Sequence, residues 1–331
     1  MGVKISNIEV YLPKDTLSND DLAIEFPDWH SYKIEKKLGI AQRHIAAEDE
    51  TALDLGIKAT EKLVEKYDKN NIDFVILCTQ SPDYYLPSSS CILQEKIGLR
   101  TDIGAFDYNL GCSGFVYGLG IAKGLINSGM ANSVLLVTAE TYSKHINKND
   151  IANRSIFGDA GVATIIEKSD KEHVNEFIFG TNGVGKNNLI VPQGGFKHKD
   201  SGGEDKINDK TKSADPKCLF MNGPEIFNFT IEAVPVAISS VLEKNNCTMD
   251  DIEYVIFHQA NKYILNYLRK KINIDKAKFH INMTETGNTV SATIPIALKD
   301  ALENETIKKD DKVLICGFGV GYSWSATIIE I

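Results

Sequence analysis

No apolar run in this 331-residue chain approaches the ~18 uninterrupted residues a membrane-crossing helix needs, so no membrane span is expected. Basic residues are in deficit: 36 Lys and Arg against 45 Asp and Glu leave a formal charge of −9. A general nucleic-acid-binding face is therefore not expected, and an acidic protein partner would need a local basic patch. There is no CxxC pair, no HExxH and no clustered His/Asp spacing, and Gly317-Phe318-Gly319-Val320-Gly321 is GxGxG rather than the dinucleotide GxGxxG. No metal and no cofactor is implied. No secretory signal is read ahead of the six cysteines (Cys78, Cys91, Cys112, Cys218, Cys247, Cys316), most of which sit in apolar segments. Reduced thiols in a cytoplasm are expected, not a disulfide framework. Met1 to Ser6 fits the loose myristoylation pattern, but Val3, Ile5 and the apolar residues up to Leu12 read as a first strand entering the fold.

What the chain does contain is one architecture written twice. Residues 73–80 and 253–260 match position by position, acid, aromatic, then three apolar residues, 180 positions apart. Val134 to Val137 and Val313 to Cys316 repeat at 179. Helical patterns precede both blocks: Leu53, Ile57, Val64 and Tyr67 after a Thr51 N-cap, and Phe229, Ala233, Ala237 and Val241. Both carry apolar residues on a second face, which places them between layers. Uninterrupted apolar strands alternating with helices predict sheets covered on both faces. The halves are expected to be 1–170 and 171–331, dividing at the polar Glu167 to Glu172. Residues 195–217 are strongly polar and read as an exposed loop.

Cys112 lies in Gly111-Cys112-Ser113-Gly114, between a strand-like Ile103 to Leu110 and an apolar helix. Such a turn lifts a side chain clear, and the helix N-terminus favours a thiolate. Any buried cysteine at a tight turn looks similar. His258 ends the duplicated strand of the second half, at the carboxyl end where α/β sheets form sites; a satisfied core histidine reads the same way. Asn288 sits in a glycine-punctuated turn, Glu285 to Thr289, before the apolar helix Ile294 to Leu302. The duplication makes Cys112 and Asn288 equivalent turns and Cys78 and His258 equivalent strand ends, which is a reason for them to converge. The Gly317 to Gly321 run can offer backbone amides to a carbonyl oxygen or simply turn between strands. Phe157 to Gly161 reads as another turn, with Asp159 structural.

Taken together, Gly39 to Ala46, Leu86 to Ser88, Asn109 to Phe115, Phe157 to Gly161, Met221 to Gly223, His258-Gln259-Ala260-Asn261, Gly287 to Thr289 and Gly317 to Gly319 resemble, in order, the β-ketoacyl-acyl-carrier-protein synthase III family of the thiolase superfamily. The resemblance implies a five-layered αβαβα thiolase-like fold built from two duplicated halves, a homodimer, and decarboxylative Claisen condensation of an acyl thioester with malonyl-acyl-carrier protein. It casts Cys112 as the acylated nucleophile, and His258 and Asn288 as holders of the enolate oxygen. The Cys112 and Val320 backbone amides become the second oxyanion hole. Asn261, Phe318 and Gly319 would contact substrate, and Leu86 would reach across the dimer to the partner's acyl tunnel. The substrates implied are an acyl-coenzyme A or acyl-carrier thioester and acyl carrier protein. Lys33, Tyr263 and Val320 depart from the family's tryptophan, arginine and glycine, and Arg154 precedes the Phe157-Gly158-Asp159 segment in an unsettled register. Other readings are a same-fold acyltransferase that delivers the acyl group to an oxygen or nitrogen nucleophile, and a Cys-His-Asn hydrolase on another fold.

Overall fold

The computed structural model describes residues 2–198 and 215–331, so most of the polar stretch 195–217 lies outside the described residues. In chain order the strands are β1 (Gly2–Tyr11), β2 (Asp15–Ser18), β3 (Gln42–Ile45), β4 (Phe74–Cys78), β5 (Gly104–Tyr108), β6 (Ser133–Glu140), β7 (Ala160–Ser169), β8 (Ile178–Thr181), β9 (Leu189–Ile190), β10 (Phe220–Met221), β11 (Tyr254–Phe257), β12 (Lys312–Gly319) and β13 (Ser323–Glu330). The helices are α1 (Asn19–Glu25), α2 (Ser31–Leu38), α3 (Ala52–Val64), α4 (Ser89–Ile97), α5 (Gly114–Asn127), α6 (Ile151–Arg154), α7 (Gly223–Lys244), α8 (Lys262–Ile272) and α9 (Thr293–Glu303).

Two sheets carry the fold, ordered β1-β7-β6-β4-β5 and β11-β12-β13-β8. The repeated blocks become equivalent strand pairs. β4 and β6 run parallel with Phe74 opposite Val134, and β11 and β12 run parallel with Tyr254 opposite Val313. Each pair is flanked by an antiparallel neighbour, β7 beside β6 and β13 beside β12. On the other side of β4 stands β5; beside β11 the corresponding pairing shrinks to a single parallel bridge, Val255 with Phe279.

Side-chain alternation divides these strands between layers. In β6, Val134 and Leu136 face a core shared with α5 and α9, while Leu135 and Val137 face α3 and α4. In β12, Val313 and Ile315 join that shared core, while Leu314, Cys316 and Phe318 face α7 and α8. The order is therefore helices, sheet, α5 with α9, sheet, helices: the thiolase-like five-layered arrangement. It corrects one expectation, because α3 and α7 are outer-layer helices, and the helices between the sheets are α5 and α9. Periodicity cannot distinguish a second apolar face on an outer helix from one buried between two sheets. The Thr51 cap is confirmed, with its hydroxyl and the Asp54 carboxylate closing a reciprocal capping box.

α7 has the length and apolar composition of a membrane-crossing helix. Its buried face instead packs Val234, Ile238 and Val241 on the second sheet and α8. Pro235 within it cannot donate to the Ile231 carbonyl one turn earlier. Lys271 of α8 fills that gap, its ammonium donating to Ile231 O at 2.8 Å.

Leu136 is fully buried between the first sheet and α5, with its methyl groups against Gly118. Leu136→Ala is expected to lower the unfolding free energy by about 2–5 kcal/mol, read as a lower denaturant midpoint at unchanged slope.

Candidate active site

Cys112 stands two residues before α5 and is 6% exposed. β12 crosses this turn so closely that a Cβ on Gly317 would lie 2.8 Å from the Cys112 carbonyl oxygen, and one on Gly319 would lie 2.9 Å from its Sγ. Only a residue without a side chain fits at either place. The Ser113 and Ser323 hydroxyls, 2.7 Å apart, tie the same turn to β13. The amides of Cys112 and Val320 both reach the sulfur and pull its ionisation downward.

Asn288 is pinned from both sides: its N–H donates to Ile156 O at 2.9 Å, and Gly158 N–H donates to Asn288 O at 3.1 Å. Gly287 before it adopts φ +65°, where a Cβ would also strike Ile156 O. The Asn288 side-chain oxygen accepts from Val290 N–H at 2.9 Å, which leaves its NH2 as the free, donating end. Val290 pays for this with φ +57°, an outlier for a buried β-branched residue. His258 follows β11, its N–H donating to Cys316 O of β12 at 2.8 Å. Its ring lies edge-on to Phe318 at 5.6 Å, and Nδ1 sits 2.7 Å from Thr293 Oγ1, with donor and acceptor set by the tautomer.

Cys112, His258, Asn288, Phe318, Gly319 and Asn261 meet in one cavity of about 230 Å³, together with Tyr142 and Leu189. The site is buried, and that governs its charges. Burial, helped by the nearby Glu140 carboxylate, pushes the Cys112 thiol up to about 12 against the pull of the two amides. The pull toward a thiolate expected at this turn is present, but desolvation outweighs it. Burial also lowers His258 to about 3, so its imidazole is neutral.

Residues 106–183 match the family described as 3-oxoacyl-[acyl-carrier-protein] synthase III, and residues 242–331 match its C-terminal region. A β-ketoacyl-[acyl-carrier-protein] synthase III of Clostridium tetani is 35% identical over 330 residues, 99% of this chain and 98% of that protein. The chain belongs to this family. A crystal structure of a 3-oxoacyl-(acyl-carrier-protein) synthase III superposes with TM-score 0.95 at 42% identity, covering 100% of both chains. That of a Burkholderia xenovorans 3-oxoacyl-(acyl-carrier protein) synthase gives 0.94 at 35%, covering 100% of this chain and 94% of its own.

Within this synthase III family member, other expected residues stand apart. Leu86 is 80% exposed and outside the cavity. Asn261 lines the cavity but spends its side-chain oxygen on the Ile264 N–H at 2.9 Å, capping α8. Arg154 is held by Glu25 of α1 at 2.6 Å and by the Lys148 carbonyl at 2.7 Å. Asp159 is a buried clamp, accepting from Ala46 N–H at 2.8 Å and from Ser143 N–H at 3.0 Å. Sequence reasoning missed Val290, Thr293 and Tyr142. The interval from Asn288 to Thr293, one helical turn and a half before an apolar helix, is the signal that could have flagged Thr293.

With its thiol raised to about 12, Cys112 holds few thiolates at neutral pH, and that fraction climbs tenfold per unit until the pKa is passed. Its alkylation by iodoacetamide should still be rising at about pH 10. A plateau below about pH 8 would contradict the buried thiol.

Proposed function

We propose that this chain condenses an acyl thioester with malonyl-acyl-carrier protein by decarboxylative Claisen chemistry, with Cys112 as nucleophile and His258 and Asn288 as the enolate hole. The supporting observation is the free NH2 of Asn288 in the cavity shared with His258 and Cys112. Acyl transfer alone has no use for a second donor aimed at an enolate oxygen, which disfavours the acyltransferase reading. Cys112 adds to the donor's carbonyl carbon and the donor's C–S bond breaks, giving acyl-Cys112 and a free thiol. The Cys112 and Val320 amides hold the oxyanion of that step. The malonyl thioester then loses carbon dioxide; its enolate carbon bonds to the acyl carbon, and Cys112 departs as a thiolate that takes up one proton.

In this reading the halves are 1–170 and 171–331, with the site at their junction. No cofactor beyond the thioester substrates is required, and a cytoplasmic setting suits six free cysteines. Among the described residues β5 is the end strand of its sheet, and Tyr84, Tyr85 and Leu86, in the loop that leads into α4, are exposed. A second copy of the chain covers this edge, and Leu86 of one protomer closes the acyl cavity of its partner. The local basic patch that a −9 protein needs for an acidic carrier is at the mouth. Lys36, Lys37, Lys262 and Lys270 line a pocket of about 310 Å³ with Tyr263 and Tyr267, and Lys37 also lines the active-site cavity. Among the described residues these four lysines make no ion pair.

Cys112→Ala should abolish transfer of a radiolabelled acyl group to the protein. Asn288→Ala should keep labelling while cutting carbon dioxide release from malonyl carrier by about 10²–10³-fold, the worth of one oxyanion donor. Label retained by Cys112→Ala would remove the nucleophile assignment. Reversing Lys37 and Lys262 to Glu should raise KM for the carrier with little change in kcat, since the lost attraction is felt on encounter.

A further inference from the structure

The two half-reactions proposed above ask opposite things of His258. When Cys112 is a thiol that must lose its proton, Nε2 has to offer a lone pair. When the enolate forms, the same nitrogen has to offer an N–H. A neutral imidazole carries one proton and cannot present both faces in one tautomer.

The structure sets a hydroxyl rotor against the opposite nitrogen. Thr293 Oγ1 lies 2.7 Å from His258 Nδ1 and 3.1 Å from Val290 O, to which it donates. His258 is 2% exposed and Thr293 3%, so the hydroxyl chooses between these two partners. It has a single proton. With that proton on the Val290 carbonyl, Oγ1 accepts, Nδ1 carries the ring proton, and Nε2 is bare. With the hydroxyl turned to donate to Nδ1, the ring proton belongs on Nε2. The Val290 carbonyl also stabilises the charged imidazole directly. Thr293 follows Val290 by three residues at the start of α9, so the rotor is anchored to the turn that orients Asn288.

We propose that Thr293 is a positioning residue that switches His258 between a base tautomer for acyl transfer and a donor tautomer for decarboxylation, an assignment that rests on the condensing function proposed above. In the first half-reaction the Cys112 S–H proton passes to Nε2, the thiolate forms its bond to the acyl carbon, and the proton leaves on the departing thiolate. His258 is neutral again with Nδ1–H. Between half-reactions, with the mouth open to water, the ring exchanges its proton with solvent, and the Thr293 hydroxyl turns to Nδ1. Nε2–H and the Asn288 NH2 then share the enolate oxygen while the malonyl C–C bond breaks and carbon dioxide leaves. No proton is transferred in that step; the hydrogen bonds strengthen as charge builds on oxygen.

Thr293→Val keeps the shape of the side chain but leaves Nδ1 facing only a carbonyl, which locks the base tautomer. The expected result is self-acylation close to wild type with carbon dioxide release from malonyl carrier down about 10²-fold, and recovery of both in Thr293→Ser. Equal loss of both half-reactions in a folded Thr293→Val protein, or loss of neither, overturns the proposal. Wild-type protein run in the same two assays separates this from the function itself, which fails if wild type neither acylates nor releases carbon dioxide. Should the valine variant not fold, 15N spectra of histidine-labelled wild type decide. Nδ1–H at rest and Nε2–H with a non-decarboxylating malonyl thioester analogue support the switch, and one tautomer in both states overturns it.

Discussion

The site depends on one close approach: β12 crosses the Cys112 turn with no room for a side chain on either Gly317 or Gly319. β12 also pairs with β11, and the His258 N–H is fixed on the Cys316 carbonyl, so the strand that backs the nucleophile also holds the histidine. The parallel pairings of β4–β6 and β11–β12 repeat with the same partners, so their carboxyl ends come to equivalent places in the two sheets. Two copies of one strand end and one turn, facing each other across α5 and α9, supply four positions. In the function proposed above three of them carry chemistry, at Cys112, His258 and Asn288, while Cys78 is buried beneath Gly114.

Val290 shows what the second half adds to that symmetry. Its N–H orients the Asn288 amide and its carbonyl accepts from Thr293, the partner of His258. One peptide segment therefore aims both side chains, and it can do so because φ +57° turns the two backbone groups toward different neighbours. Such a conformation costs on the order of 1–3 kcal/mol for a residue of this kind and persists only when packing holds it. The packing is present: Val290 is 1% exposed and clusters with Cys112, Tyr142 and Phe157.

Which parts of this were legible in the residues follows from how far each signal reaches. The repeat offsets of 180 and 179 survive as strand register, because a one-residue slip would exchange the faces of every strand. The Thr51 cap is local chemistry and reads directly. The layer assignment of α3 and α7 failed because an apolar second face at the rim has the same period as one buried between sheets. Val290 was invisible because a β-branched residue in the left-handed region contradicts its own propensity, and only the completed turn imposes it. Arg154 could not be placed because its partner, Glu25, is 129 residues away. The helix-end amides that favour a Cys112 thiolate are visible in sequence, whereas the desolvation that opposes them is a property of the assembled cavity.

Desolvation also gives the site its electrostatic logic. Cys112 is held as a thiol, His258 as a neutral imidazole, and Glu140, fully buried and accepting from Gln80 N–H at 2.9 Å and Ser81 Oγ at 3.0 Å, is raised to about 8. At neutral pH the Glu140 carboxyl is mostly protonated, so in the function proposed above no fixed negative charge there opposes the enolate. A cationic histidine would bind the malonyl carboxylate and its enolate alike, stabilising ground state and transition state together. Neutral donors in a low-dielectric cavity act differently, because their hydrogen bonds gain strength mainly as charge moves onto the thioester oxygen. In the function proposed above, the burial that raises the Cys112 thiol is thus also what would make Asn288 and His258 selective for the decarboxylating step. It also makes the position of a single proton on His258 decisive.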